Sequence, residues 1–248
     1  ADRRAVSGAE PRELTDPAYV RRQYASEQGL ATRRAIYANA AGPDAHEVVL
    51  DAVREAAPGS VLDVGCGEGE LAERIQGELG ATVVAIDQSA RMVEISRARG
   101  VDAGVADAQR LPFEDGEFDV VLAAWVLHHV RDIPATLVEL RRVLRPGGRL
   151  VAATNRADHL QELWHLAGID RLPLTFGAED GAEHLASHFE RVERHDVGGT
   201  VTLFDADAVR RYIASSGLFA DRVALVPELD RPLVARRRSV VFVAEKTP

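Results

Sequence analysis

The stretch Val61-Leu62-Asp63-Val64-Gly65-Cys66-Gly67-Glu68-Gly69 limits the fold more than any other part of the chain. A short apolar run, too brief for a helix, ends in three alternating glycines and opens into helical periodicity through residue 79, where Gly80 follows. This is a strand, a tight turn and a helix. Gly65 and Gly67 allow the backbone to turn sharply and approach a ligand with no Cβ in the way, and Gly69 lets the following helix pack on the strand. The amides of the turn and of the helix start are expected to face that ligand.

The same alternation continues on both sides. Residues 44–57 carry Val48, Val49, Ala52, Val53 and Ala56 at helical spacing before Pro58-Gly59 stops them. Residues 82–86 form a buried strand, 89–99 a helix with Ser89 as N-cap, 101–106 a short strand and 118–124 a strongly apolar one. Residues 133–144 form a helix ended by Arg145-Pro146-Gly147-Gly148, and 150–154 form the fifth strand. Alternating strands and helices imply an α/β fold. The expectation is a doubly wound, mostly parallel seven-stranded sheet with N-terminal helices, its ligand crevice at the strands' carboxyl ends.

Beyond Asn155 the rhythm loosens. Residues 159–167, 180–188 and 206–216 are helical in pattern, 189–203 is strand-like with a turn at Gly198-Gly199, and 239–244 is the last strand. The expected organisation is an N-terminal helical lid (1–58), a nucleotide-binding core (59–156), a cap-like insertion containing the sixth strand (157–238) and the last core strand (239–248).

A chain of 248 residues suits one generous α/β domain. Its net charge of −9 and its scattered arginine pairs argue against a nucleic-acid face. The longest basic run, Arg236-Arg237-Arg238, is expected to be an exposed strand start. The single cysteine, Cys66, excludes an internal disulfide and a cysteine zinc cage, and it fits a reducing cytoplasm. No apolar run is long enough to cross a bilayer, so no membrane partner is expected.

The spacing of the loop narrows its ligand. It reads G-x-G-x-G, not the G-x-G-x-x-G of dinucleotide enzymes, and Asp63 stands two residues before Gly65, where a carboxylate repels a pyrophosphate and attracts a cation. The next strand ends at Asp87, about twenty residues on, where a carboxylate can accept from ribose hydroxyls, although an Asp there also starts helices.

With these residues the chain resembles class I, Rossmann-like methyltransferases that use S-adenosylmethionine, in particular the type 11 or UbiE-like group. The resemblance covers about residues 59–155. It implies that Asp63 lies near the cofactor's amino group, that the backbone at Gly65, Cys66 and Gly67 lies against its methionine portion, and that Asp87, with Gln88 beside it, holds the ribose. Asp107 in Ala106-Asp107-Ala108, at the end of the third strand, matches the acidic residue that takes the adenine amine, or it is an ordinary loop aspartate. Met92 is an adenine contact or plain core. Ala124 and Trp125, at the end of the fourth strand, line the methionine tail or the core.

Methyl transfer is an in-line displacement that needs alignment and exclusion of water, with a base only for some acceptors. His128 and His129, just past the fourth strand, are the candidate catalytic residues. His129 equally suits a structural or cofactor-side role, and adjacent side chains diverge too far to share a metal. Tyr24 and Arg33 fall on N-terminal helices that could fold over the cofactor, and Arg34 is expected in solvent. The expected partner is a small-molecule methyl acceptor. The alternatives are a protein that binds S-adenosylmethionine without methyl transfer, as a regulator or a cyclase, and an NAD-dependent oxidoreductase.

Overall fold

A computed structural model describes residues 15–16, 19–20 and 27–247. Ahead of the glycine loop lie α1 (Glu27–Ala35), β1 (Ala40–Ala41) and α2 (Ala45–Glu55). The alternating core follows as β2 (Ser60–Val64), α3 (Glu70–Leu79), β3 (Thr82–Asp87), α4 (Ala90–Ala98), β4 (Asp102–Val105), β5 (Phe118–Ala124), α5 (Ile133–Val143) and β6 (Leu144–Asn155). The remainder is α6 (Gln161–Leu166), α7 (Gly181–Ala186), β7 (Arg191–Leu203), α8 (Ala206–Ala214), a 3-10 segment (Gly217–Leu225) and β8 (Leu233–Glu245).

Four of the helices begin where short polar side chains cap them. Asp44, Ser89, Asp132 and Asp205 accept from the amides of His46, Met92, Ala135 and Ala208. Gly80 closes α3 in the left-handed conformation.

All strands join one sheet in the order β1-β7-β8-β6-β5-β2-β3-β4. The pairs β2/β3, β3/β4, β2/β5 and β5/β6 are parallel, and β8 runs antiparallel between β6 and β7. The chain leaves β2 toward β3 on one side and returns to β5 on the other. The topological switch point therefore falls between β2 and β5, and their carboxyl ends open the crevice. One face of the sheet packs Leu137, Leu140 and Phe242, and the other packs Val49, Val53 and Ile75. A third core, around Leu163, Trp164 and Ile213 with Ile36 from the N-terminal segment, lies under α6, α8 and the 3-10 segment.

Five details differ from expectation, the first being that β6 begins at Leu144 and contains the Arg145-Pro146-Gly147-Gly148 stretch expected as a turn. The described residues form eight strands, because the two-residue β1 adds to the edge of β7, a pairing with no local sequence signal. Gly198 and Gly199 make no turn, since β7 runs unbroken along β8. A Cβ on Gly199 would stand 2.4 Å from the Ala41 carbonyl oxygen and 2.5 Å from an Arg237 nitrogen, so the glycine admits their close approach. The last strand begins at Leu233, not at residue 239, and Arg236-Arg237-Arg238 lies inside it. Only Arg236 is exposed; Arg237 is buried and donates to the carbonyls of Ala41, Gly42, Pro43 and Thr200 at 2.9–3.3 Å, clamping the N-terminal segment to the sheet. Among the described residues no helix is long and apolar enough to cross a membrane.

Candidate active site

The crevice is built around two carboxylates on neighbouring strands. Asp63, at 2% exposure, receives no hydrogen bond from any described residue, and burial followed by the charge of Asp87 pushes it up to about 7. A buried carboxylate with no donor and an anionic neighbour is electrostatically incomplete. A cation beside it would complete it.

Asp87 is already half used. Its two oxygens accept from the amides of Gly67 at 3.0 Å and Ser89 at 2.8 Å, which ties the glycine loop to the start of α4. Burial raises its pKa against those backbone bonds. A carboxylate has about four acceptor positions, so two remain for a pair of hydroxyls.

The amides of the loop do not face a ligand as expected. Those of Gly65 and Cys66 donate to the Ile86 carbonyl at 2.8 and 3.0 Å, that of Gly67 to Asp87, and that of Gly69 to the Cys66 carbonyl at 2.9 Å. With these four amides committed, the turn has fewer free donors for a pyrophosphate. What it offers is space. A Cβ built on Gly67 meets nothing within 4 Å, whereas one on Gly65 would stand 2.3 Å from Val126. Gly69 closes on Ser96 of α4, not on the strand.

A model of the "Methyltransferase domain" family matches residues 62–152. An uncharacterized methyltransferase of Mycobacterium bovis is 34% identical over 178 residues, which cover 67% of this chain and 70% of that protein. The 27-O-demethylrifamycin SV methyltransferase of Amycolatopsis mediterranei is 32% identical over 69% of this chain and 58% of its own. An uncharacterized 37.1 kDa transposon protein of Streptomyces fradiae is 45% identical over 46% of this chain, and the match spans 35% of that protein. Among solved structures, the [4+2]-cyclase SpnF aligns over 98% of this chain with a TM-score of 0.61 at 19% identity, a likeness of fold. This chain belongs to the class I S-adenosylmethionine-dependent methyltransferases.

The residues present fit that cofactor. Asp63 supplies an unpaired buried anion for its ammonium group, Asp87 keeps two acceptor positions for its ribose, and Gly67 leaves the room a Cβ would take. Other expected cofactor residues vary in placement. The Cys66 thiol stays protonated, raised first by burial and then by Asp63 and Asp87, and lies 3.9 Å from the Ser96 hydroxyl. Gln88 is exposed. Met92 has no exposed surface, so it is core here. Asp107 is exposed and folds back on its own loop, accepting from the Gln109 amide at 2.9 Å; Ala108 packs against the core beside it. Tyr24 lies outside the described residues.

Ala124 ends β5, and Trp125 after it holds φ at +54°, a left-handed conformation costly for a bulky residue. Its indole N–H donates to Asn155 Oδ1 at 3.3 Å, and its ring lies 4.6 Å from that of His46. Val126 seats the next turn on Gly65, and the turn carries His128 and His129, whose rings lie 4.2 Å apart. His128 Nδ1 is buried without a hydrogen-bond partner, and burial, His129 and Arg33 hold its pKa well below the ordinary histidine value. His128 is therefore neutral at pH 7 with Nδ1 buried.

Arg33 departs from its expected place beside the cofactor, and Arg34 stays exposed as expected while pairing with surface carboxylates. Arg33 donates to the Ser215 carbonyl at 2.6 Å, so it joins the lid to α8, while Arg34 bridges Glu68 in the glycine loop, at 2.7 Å, and Glu70. Periodicity could not separate them, because each pairs across a long span of chain. Three further residues lie nearby: Tyr37 and His159, which the sequence offers just before and just after the core, and His46, which carries no local signal. His46 packs its ring at a tilt against Trp125. His159, buried, accepts at Nδ1 from the Arg238 amide at 3.0 Å, which places its proton on Nε2, 3.1 Å from the Tyr37 hydroxyl. Burial pushes Tyr37 up to about 12 and lowers His159 to about 4.

Proposed function

We propose that this methyltransferase moves the methyl group of S-adenosylmethionine in line onto a small-molecule acceptor, a biosynthetic metabolite. The observation that carries this reading is the unpaired Asp63 carboxylate beside the half-committed Asp87, which together fix the two polar ends of the cofactor. When bound, the cofactor supplies a sulfonium methyl that is open to displacement. The protein's part is to orient it, to exclude water and to hold the acceptor in line.

The proposed organisation is a lid over residues 1–58, a cofactor core over 59–156, a cap over 157–238 and the closing strand. Cofactor contacts are assigned to Asp63, Gly65, Cys66, Gly67, Asp87, Gln88, Asp107, Ala108, Ala124 and Trp125. Arg33 is reassigned from the cofactor to the lid–cap seam, where Ser215 already engages it. His128 takes the acceptor side and His129 a supporting position. The net charge of −9 supports a small molecule over nucleic acid, and the lone cysteine supports a cytoplasmic location.

Incubation with methyl-labelled S-adenosylmethionine and a panel of phenols, alcohols, amines and acidic carbon compounds tests this. Label is expected in an extractable small product, with S-adenosylhomocysteine formed in equal amount. Tight cofactor binding with no label transferred across the panel would favour a regulator or a cyclase.

A further inference from the structure

Arg33 and Arg34 are neighbours on α1, yet they grip different parts of the molecule. Arg33 donates to the carbonyl of Ser215, which ends α8, at 2.6 Å. Arg34 donates to Glu68 at 2.7 Å and, from its other terminal nitrogen, to Glu70. Glu68 stands between Gly67 and Gly69 in the glycine loop, and Glu70 is the first residue of α3. α1 therefore bridges the cap and the loop.

The two attachments differ in kind. Toward the cap they are buried. Ile36, directly after α1, packs into the core with Leu163, Trp164 and Ile213, and the Tyr37 hydroxyl meets buried His159 at 3.1 Å. β1 pairs with β7, and Arg237 holds the carbonyls of Ala41, Gly42 and Pro43. Apolar burial and desolvated hydrogen bonds are little weakened by ordinary salt. Toward the loop the attachment is a cluster of three charged side chains, of which Arg34 is 44% and Glu70 42% exposed. Pairs of this kind hold weakly and are screened by salt. When α1 lets go, it lets go of the loop and stays with the cap.

That release bears on the ligand, because the loop side is where the adenosyl group is received. Glu68 adjoins Gly67, where a Cβ would meet nothing within 4 Å, and the loop leads on from the strand that carries Asp63. Glu68 is only 12% exposed although it is charged and stands in a turn, and the Arg34 guanidinium lies against it.

We propose that Arg34, Glu68 and Glu70 form a latch that closes α1 over the glycine loop and sets how fast the adenosyl ligand enters and leaves. The latch joins protein to protein and makes no bond to the ligand. It therefore holds free and loaded protein alike, and breaking it changes both rates while the equilibrium stays nearly where it was.

This inference rests on the glycine loop as the cofactor's seat, and the test separates the two. Association of S-adenosylhomocysteine is followed by stopped-flow tryptophan fluorescence, and dissociation by chasing bound radiolabelled ligand with unlabelled ligand. Arg34→Gln is expected to raise both rate constants about fivefold, the upper end for an exposed ion pair, with Kd within about twofold of wild type. Its melting temperature should stay close to wild type, as for a surface substitution. Glu68→Gln combined with Glu70→Gln should act in the same way, and the triple variant should be no faster than either, since one latch is broken in all three. S-adenosylhomocysteine carries as much positive as negative charge, so salt alters its steering little. Raising sodium chloride from about 50 to about 500 mM should therefore accelerate the wild type toward the variants' rates and leave the variants nearly unmoved. Unchanged rates in Arg34→Gln, faster release with unaltered association, additive effects in the triple variant, or equal salt acceleration of wild type and variants would overturn the latch. Each of these outcomes leaves cofactor binding at the loop standing. Absence of S-adenosylhomocysteine binding by the wild-type protein would instead count against both.

Discussion

Asp63→Asn is expected to stabilise the folded protein and at the same time to weaken S-adenosylhomocysteine binding about a hundredfold. Both effects come from one carboxylate. Asp63 ionises near 3.8 in the unfolded chain and near 7 in the fold, because burial and Asp87 oppose its charge. Below the unfolded value both states are protonated and the residue costs nothing. As pH rises between the two values the unfolded state loses its proton first, so stability falls, and above about 7 the whole penalty is present. A gap of that size corresponds to at most about 4 kcal/mol, and asparagine removes it without changing the side chain's shape. In urea melts the variant should match wild type near pH 4 and exceed it by ~2–4 kcal/mol at pH 8. The ligand's ammonium group reverses the account, since its charge suits the ionised form of Asp63. Wild-type affinity should therefore rise with pH up to about 7 and then level off, while the variant's affinity stays low and flat. Loss of stability in Asp63→Asn at pH 8, with binding unchanged, would remove the cation-receiving role.

Gly67→Ala and Gly65→Ala should separate ligand space from packing. Both positions have positive φ, +53° and +74°, so alanine costs each of them on the order of 1–2 kcal/mol in backbone strain. At Gly67 the new methyl meets no protein atom within 4 Å. The variant should fold, with S-adenosylhomocysteine affinity down at least tenfold. At Gly65 the methyl would stand 2.3 Å from Val126 Cγ2, so the turn carrying His128 must move. That variant should lose roughly 3 kcal/mol in all, since overpacking adds about 1–3 kcal/mol to the strain. Gly65→Ala with Val126→Ala should recover the steric part. Calorimetric titration and urea unfolding of the three variants give both quantities, and unchanged affinity in a folded Gly67→Ala would move the ligand elsewhere.

The part of the fold legible in the sequence is the part made of local contacts. β2 to β6 follow from runs of apolar residues cut by glycine and proline, and Asp63 and Asp87 stand out because each ends a strand that can be located without its neighbours. Where pairing is distant, the residues give no local clue. β1 exists because β7 accepts it, and Arg237 is buried because the Ala41 carbonyl, far back in the chain, receives it. The commitment of the loop amides to Ile86 and Asp87 was likewise invisible, and it agrees with the cation that Asp63 already indicates.

The most direct test of the account is a crystal structure of the protein with S-adenosylhomocysteine. The ligand's amino group should lie within hydrogen-bond distance of Asp63, both ribose hydroxyls on the Asp87 carboxylate while it keeps the Gly67 and Ser89 amides, and the thioether sulfur on the side facing His128. An amino group directed to solvent, with Asp63 still unpaired and the ribose away from Asp87, would contradict it.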